Sequence, residues 1–203
     1  MVSELLSNFI LFFAVIDPIG TVPVFIAVIA RYDEPTRRVI AVQAALAALA
    51  VLLFFVIAGE PILKAIDIPM PAFQIAGGIV LFIFALTMIF GDSKPDEEIK
   101  MLGSHRETAI FPLAVPSLAS PGAMLAAVMM TDNALYTITE QAWTSGVIAA
   151  VLLVALVLML AATYVHRLIG DAGASIISRV MGMILSAVAV ANVLAGVEEY
   201  FGL

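Results

Sequence analysis

The chain has 203 residues, of which 63% are hydrophobic and 12% charged, with a net charge of −7 and no cysteine. A mean hydropathy of +1.14 excludes an ordinary soluble domain and points to an integral membrane protein. Lack of cysteine excludes disulfides and thiolate metal sites, and the charge says little about partners because nearly all of it falls in short loops.

Six apolar runs are long enough to cross a bilayer, which takes about 20 helical residues each. They cover residues 5–30, 39–59, 70–91, 108–131, 143–166 and 176–197. The fold expected is all-α and polytopic. The first run is kept as a span and not a secretory signal, because Met1-Val2-Ser3-Glu4 has no positive residue and the run exceeds a usual signal core.

Span one is interrupted by Asp17-Pro18-Ile19-Gly20-Thr21-Val22-Pro23. Span four is interrupted by Pro112-Leu113-Ala114-Val115-Pro116-Ser117-Leu118-Ala119-Ser120-Pro121-Gly122. Lipid cannot satisfy the backbone groups that such breaks release, so they belong where protein or a watery cavity covers them. If the flanks are helical, Pro18 and Pro23 free the carbonyls of Ala14 and Ile19, and Pro116 and Pro121 free those of Pro112 and Ser117. Each following half-helix offers N–H groups and a positive dipole end, which suit a carboxylate. The carbonyls, with Asp17, suit an ammonium group, a proton or a sodium ion. The side chains nearby are small and uncharged: Gly20, Thr21, Ser117, Ser120 and Gly122. A small zwitterion fits, and so do other compact polar metabolites.

Asp17 sits near the centre of span one, where insertion of a charge costs about 2.5–3.5 kcal/mol, so a role or partner is expected. It can cap the half-helix that starts at Pro18, or contact substrate or cation, and the two roles are compatible. Any single proline here reads as a simple kink; the pairing of two breaks in two halves favours a substrate site.

In spans three and six, Gly77-Gly78 and Gly182 are read as close-packing positions. Gln74 and Asn192 are intramembrane polar groups suited to interhelical bonds or to cavity lining. Arg179 either snorkels to the interface or points into the cavity and attracts a carboxylate.

Overlaying the halves places Asp17-Pro18 on Ser120-Pro121 at an offset of 103, and residues 74–81 on 179–186 at an offset of 105. This divides the chain into a first three-helix repeat (1–91), a cytoplasmic linker (92–107) and a second repeat (108–203). An odd number of spans per repeat requires the copies to be inverted, a plan shared by many secondary transporters. Arg31, Arg37, Arg38, Lys94, Lys100, Arg106, Arg167 and Arg179 fall on the odd-loop side, against Lys64 alone on the other. The positive-inside rule then makes the odd loops cytoplasmic and puts both termini outside.

No His-Glu-x-x-His or Gly-x-Gly-Asp segment is present, and His105 and His166 lie in or beside loops, so an enzyme is not expected. No metal site, no cofactor and no nucleotide-binding motif is expected either. That leaves an ion or substrate gradient to drive transport, with a proton or sodium ion as the coupling candidates.

The two break segments, with Phe73-Gln74-Ile75-Ala76-Gly77-Gly78-Ile79 between them, resemble the MarC family across nearly the whole chain. That family is distantly similar to LysE-type exporters and includes members described as neutral amino acid transporters. The resemblance implies a multi-pass protein of the cytoplasmic (inner) membrane that moves small neutral amino acids such as alanine, glycine or serine. Its partners would be the lipid bilayer and the solute, with no nucleic acid; oligomeric state is open. The rival readings are an exporter of another small polar metabolite or drug, a cation channel or permease, and a non-transporting membrane subunit.

Overall fold

The interruptions in the sequence become interruptions in the fold. The computed structural model describes residues 2–30, 32–90, 109–133 and 135–202. Among these there are helices and connecting turns and no strand. The helices are α1 (Val2–Ile16), α2 (Thr21–Ile29), α3 (Glu34–Ala65), α4 (Met70–Phe90), α5 (Ala109–Leu118), α6 (Pro121–Met129), α7 (Ile138–Leu160) and α8 (Ala162–Phe201). Helices α3, α4 and α7 and the stretch Ser175–Phe201 of α8 are each long and apolar enough to cross a bilayer. Two bent pairs, α1–α2 at 41° and α5–α6 at 58°, bring the number to six if each pair is one span. The all-α, multi-pass expectation is met. The linker 92–107, Arg31 and His105 lie outside the described residues.

Local chemistry explains where each helix begins and ends. Asp33 precedes Pro35 at the start of α3, a position where proline's missing N–H costs nothing, and α3 then runs on through Pro61. Its 32 residues span about 48 Å, well beyond the hydrocarbon thickness. The fifth apolar run starts at residue 143, yet α7 begins at Ile138. The reason is a reciprocal cap: Thr137 Oγ1 accepts from the Glu140 N–H while Glu140 accepts from the Thr137 N–H. The same run continues to 166, whereas α7 ends at Leu160 and a new helix starts at Ala162. Within α8, Gly170 (φ 67°, ψ 175°) takes a backbone conformation open almost solely to glycine and separates the first two turns from the membrane-length part.

Helix α5 is irregular because two of its residues precede prolines. Phe111 (φ −131°, ψ 123°) and Val115 (φ −129°, ψ 122°) are extended, as the proline ring demands of the residue before it. The Val115–Pro116 bond is cis. A wide turn follows, closed by the Ala119 N–H donating to the Ala114 carbonyl at 2.7 Å.

The most extensive helix contact joins α4 to α8. Glycines let the backbones approach: Gly182 lies against the Ala85 carbonyl and Met88, Gly78 against Val193 and the Ala189 carbonyl, and Gly196 against Ile75 and the Pro71 carbonyl. These contacts run in opposite sequence directions, so the helices are antiparallel. Helix α3 packs on α5, α6 and α7, and α1 packs on α6, α7 and α8. The core gathers around the breaks, with Phe12, Val15, Ile16, Leu113, Ala114, Leu118 and Ala119 fully or almost fully buried. Large apolar side chains such as Leu46, Phe54, Ile57, Ile83, Leu153 and Leu194 are exposed along the outer faces, the surface a bilayer covers.

Candidate functional site

Helix α1 ends because Pro18 follows Asp17. The proline bars Asp17 from the right-handed helical region, and Asp17 takes φ 48°, a left-handed conformation that short polar side chains tolerate best. Its own N–H still bonds to the Phe13 carbonyl at 3.0 Å, closing α1. Its carboxylate then turns forward. Oδ1 accepts from the Gly20 N–H at 3.0 Å, and Oδ2 accepts from the Ser178 hydroxyl of α8 at 3.0 Å. The Thr21 hydroxyl donates to the Asp17 carbonyl at 3.0 Å. Asp17 is 1% exposed and Thr21 is fully buried. Among the described residues the carboxylate meets no cation: an amide and a hydroxyl hold it.

Gly20 is required by close approach. A Cβ there would meet the Asp17 carboxylate, with Cγ at 2.7 Å, and the Ser178 hydroxyl. Pro23, in contrast, interrupts nothing, for it occupies the first turn of α2, where no N–H is needed. The carbonyl of Ile19, which proline at 23 was expected to free, accepts from the Val22 N–H at 3.1 Å.

The second break repeats the same device. Ser120, fully buried, caps α6 by accepting from the Ala123 N–H at 3.1 Å, with Pro121 in the first turn. Asp17 and Gly20 fall on Ser120 and Ala123 at the offset of 103, so the same side-chain bond to the N–H three residues on recurs in both breaks. The backbones differ: Ser120 is itself the N-cap of α6, with φ −68° and ψ 158°, whereas Asp17, at φ 48°, stands ahead of Gly20, the N-cap of α2. The Ser120 hydroxyl also donates to the Val15 carbonyl at 2.8 Å, which ties the second break directly to the end of α1. Gly122 is buried against Leu81 and Val15, and Ser117 is buried at 1% exposure.

The structure therefore brings Asp17, Gly20 and Thr21 together with Ser178, and Ser120 and Gly122 together with Val15. Of the remaining candidates, Gln74 on α4 and Asn192 on α8 are half-buried, while Arg179 is exposed. Adjacent helical residues point about 100° apart, so Arg179 faces away while its neighbour Ser178 turns its hydroxyl to Asp17. A lone serine in a membrane helix gives no sequence signal of its own.

Two further features flank the breaks. On one side, α2, the start of α3, the end of α7 and the start of α8 surround a cavity of about 420 Å³, lined among others by Phe25, Glu34, Arg37, Arg38, Thr163 and Tyr164. Arg37 Nε donates to the Tyr32 carbonyl at 2.7 Å, and Arg38 pairs with Glu34 at 2.6 Å. On the other side, Glu60, 4% exposed near the end of α3, accepts from the Asn133 N–H at 2.8 Å and from the Asn133 side-chain amide, and pairs with Lys64. Lys64 marks sidedness in the sequence, and its spacing of four from Glu60 is also that of a helical ion pair. Among the described residues no cluster of three His, Asp or Glu is placed to hold a metal ion.

This architecture defines an all-helical, multi-pass integral membrane protein whose two interrupted spans meet at their interruptions. The chain belongs to the MarC family of integral membrane proteins, which it matches over residues 2–201. It is 36% identical over 192 residues to a membrane protein of Methanocaldococcus jannaschii, covering 92% of each chain. It is 32% identical over 202 residues to the inner membrane protein YhgN of Escherichia coli strain K12, covering 98% of each. A membrane protein of Buchnera aphidicola subsp. Schizaphis graminum is 28% identical over 199 residues, again 98% of each. No solved structure matches.

Proposed function

We propose that the chain is a secondary transporter of small neutral amino acids such as alanine, glycine and serine. It works by alternating access around the paired breaks of spans one and four. The observation that carries this reading is the contact between the breaks: Ser120 of one donates to the Val15 carbonyl of the other, beside the buried Asp17. Interrupted spans that meet inside a bilayer bring two helix N-termini and one carboxylate to a single place, the complement of a zwitterion.

In this mechanism Asp17 exchanges its Ser178 partner for the substrate ammonium or for a coupling proton or sodium ion. Ser117, Ser120 and the Gly122 backbone take the carboxylate, Ser120 by turning its single hydroxyl donor away from the Val15 carbonyl, while Gly20 and Thr21 shape the floor. The recurring bond from Asp17 and Ser120 to the N–H three residues on, and the antiparallel packing of α4 on α8, support two inverted three-helix repeats. The protein sits in the cytoplasmic membrane with its odd loops inside and both termini outside, a location supported by the name of the Escherichia coli relative. It needs no resident cofactor and is not an enzyme.

The test is uptake of radiolabelled alanine, glycine and serine by proteoliposomes under imposed proton and sodium gradients. Saturable uptake driven by one gradient is expected. Ion conductance without saturable uptake would make it a channel, and no uptake of any of the three by folded protein would assign the site to another small polar solute.

A further inference from the structure

The two ends of α3 are in opposite conditions. Arg37 and Glu60 stand 23 residues apart on one continuous helix, about 35 Å along its axis, which is the full depth of a membrane. At the Arg37 end lies the 420 Å³ cavity, which stops short of the first break: Phe25, which lines it, is one helical turn or about 6 Å beyond Thr21, and both side chains are buried. At the Glu60 end the helices are shut against one another. Gly59 of α3 lies against Val128 of α6, so close that a Cβ there would meet the Val128 side chain. Above that seam the Glu60 carboxylate holds Asn133, in the turn between α6 and α7, through both its backbone N–H and its side-chain amide. Gln141 of α7 braces the same asparagine by donating to its Oδ1 at 2.9 Å and to the Tyr136 carbonyl at 3.1 Å. Lys64 compensates the buried charge, with Asp132 nearby. The nine residues of α6, about 14 Å, separate this closure from Ser120.

We infer that Glu60 is the latch of a gate: its bonds to Asn133 hold the α3–α6 seam shut while the opposite face is open, and releasing them lets the seam part. This rests on the transport reading above. A carboxylate suits the task because each of its bonds is charge-assisted, yet Glu60 lies close enough to the end of the span for water to replace Asn133 when the seam opens. The latch joins α3, in the first half of the chain, to the α6–α7 turn in the second. Motion of one half against the other must therefore break it. With the odd loops inside, Glu60 guards the outer face.

The chain has no cysteine, so single cysteines can report the gate without background. Val128→Cys lies under the latch, and Thr163→Cys lines the opposite cavity. Both are reconstituted in oriented vesicles and exposed to a membrane-impermeant thiol reagent from each side. In the parent background Thr163→Cys should react from the Arg37 side and Val128→Cys from neither. Adding Glu60→Gln or Asn133→Ala should raise the Val128→Cys rate from the Glu60 side about ten- to a hundredfold, the effect of losing one or more hydrogen bonds to a charged group. Should neither variant fold, Gln141→Ala loosens Asn133 alone and is read in the same way. An unchanged rate at Val128→Cys in folded protein, or a rise at both positions together, overturns the latch. Labelling needs no solute, so its failure leaves the transport reading intact, and failure of uptake leaves the labelling result intact.

Discussion

Removing the Asp17 side chain should weaken the fold more than neutralising it, and the structure gives the size of the difference. Asp17→Asn keeps an oxygen for the Gly20 N–H at 3.0 Å, and Ser178 can accept from the new amide as readily as it donated to the carboxylate. Only the charge assistance is lost, about 1 kcal/mol. Asp17→Ala removes the acceptor of the Gly20 N–H, worth about 1 kcal/mol, and leaves the part-buried Ser178 hydroxyl without this acceptor, a further 1–3 kcal/mol or so. The total is about 2–4 kcal/mol, and alanine also tolerates the left-handed backbone at φ 48° less well than aspartate. Thermal unfolding in detergent, followed through the single tryptophan, Trp143, should place Asp17→Ala about 5–15 °C below the parent and Asp17→Asn within a few degrees of it. Equal melting temperatures for Asp17→Ala and the parent would refute the capping argument. An asparagine variant as unstable as the alanine variant would show that the charge itself holds the site.

Ser120→Ala should cost about 2–3 kcal/mol, since it removes both the cap on Ala123 and the donor to Val15, and the same melting assay reads it. Gly182→Val should cost at least 1–3 kcal/mol or so, because a Cβ would come within 2.9 Å of the Ala85 carbonyl, which is backbone and cannot rotate away; Gly146→Ala, with open space around it, serves as the silent control. Thr137→Ala should leave the melting temperature nearly unchanged. It should speed amide exchange in the first turn of α7 by about fivefold, the local equivalent of a 1 kcal/mol cap, and unchanged exchange there would remove the cap from the explanation of where α7 starts.

The spans were legible because bilayer length and apolarity are written directly in composition, and the breaks because proline and glycine act locally. Span three, expected at 70–91, is helical over 70–90. The misjudged ends lay where a polar pattern had to be read: Thr137-Ile138-Thr139-Glu140 carries a capping box that apolar counting passes over. What proline does also depends on its place in the turn. Pro18 ends a helix, whereas Pro23 sits harmlessly in the first turn of the next one. Hydrogen-bond accounting therefore overstated the freed groups, since Asp17, Ser120 and the turn at Ile19 satisfy several of them locally. Ser178 and Asn133 were invisible because their importance comes from distant partners, Asp17 and Glu60, and no local spacing marks such pairs.

The most direct test of the account is alanine counterflow in proteoliposomes, with parent and Asp17→Asn protein compared at equal amounts of folded material. Saturable counterflow is expected from the parent, and its loss in Asp17→Asn despite a near-parental melting temperature. Counterflow by Asp17→Asn at the parental rate would contradict it, leaving Asp17 a helix cap and moving the solute path away from the paired breaks.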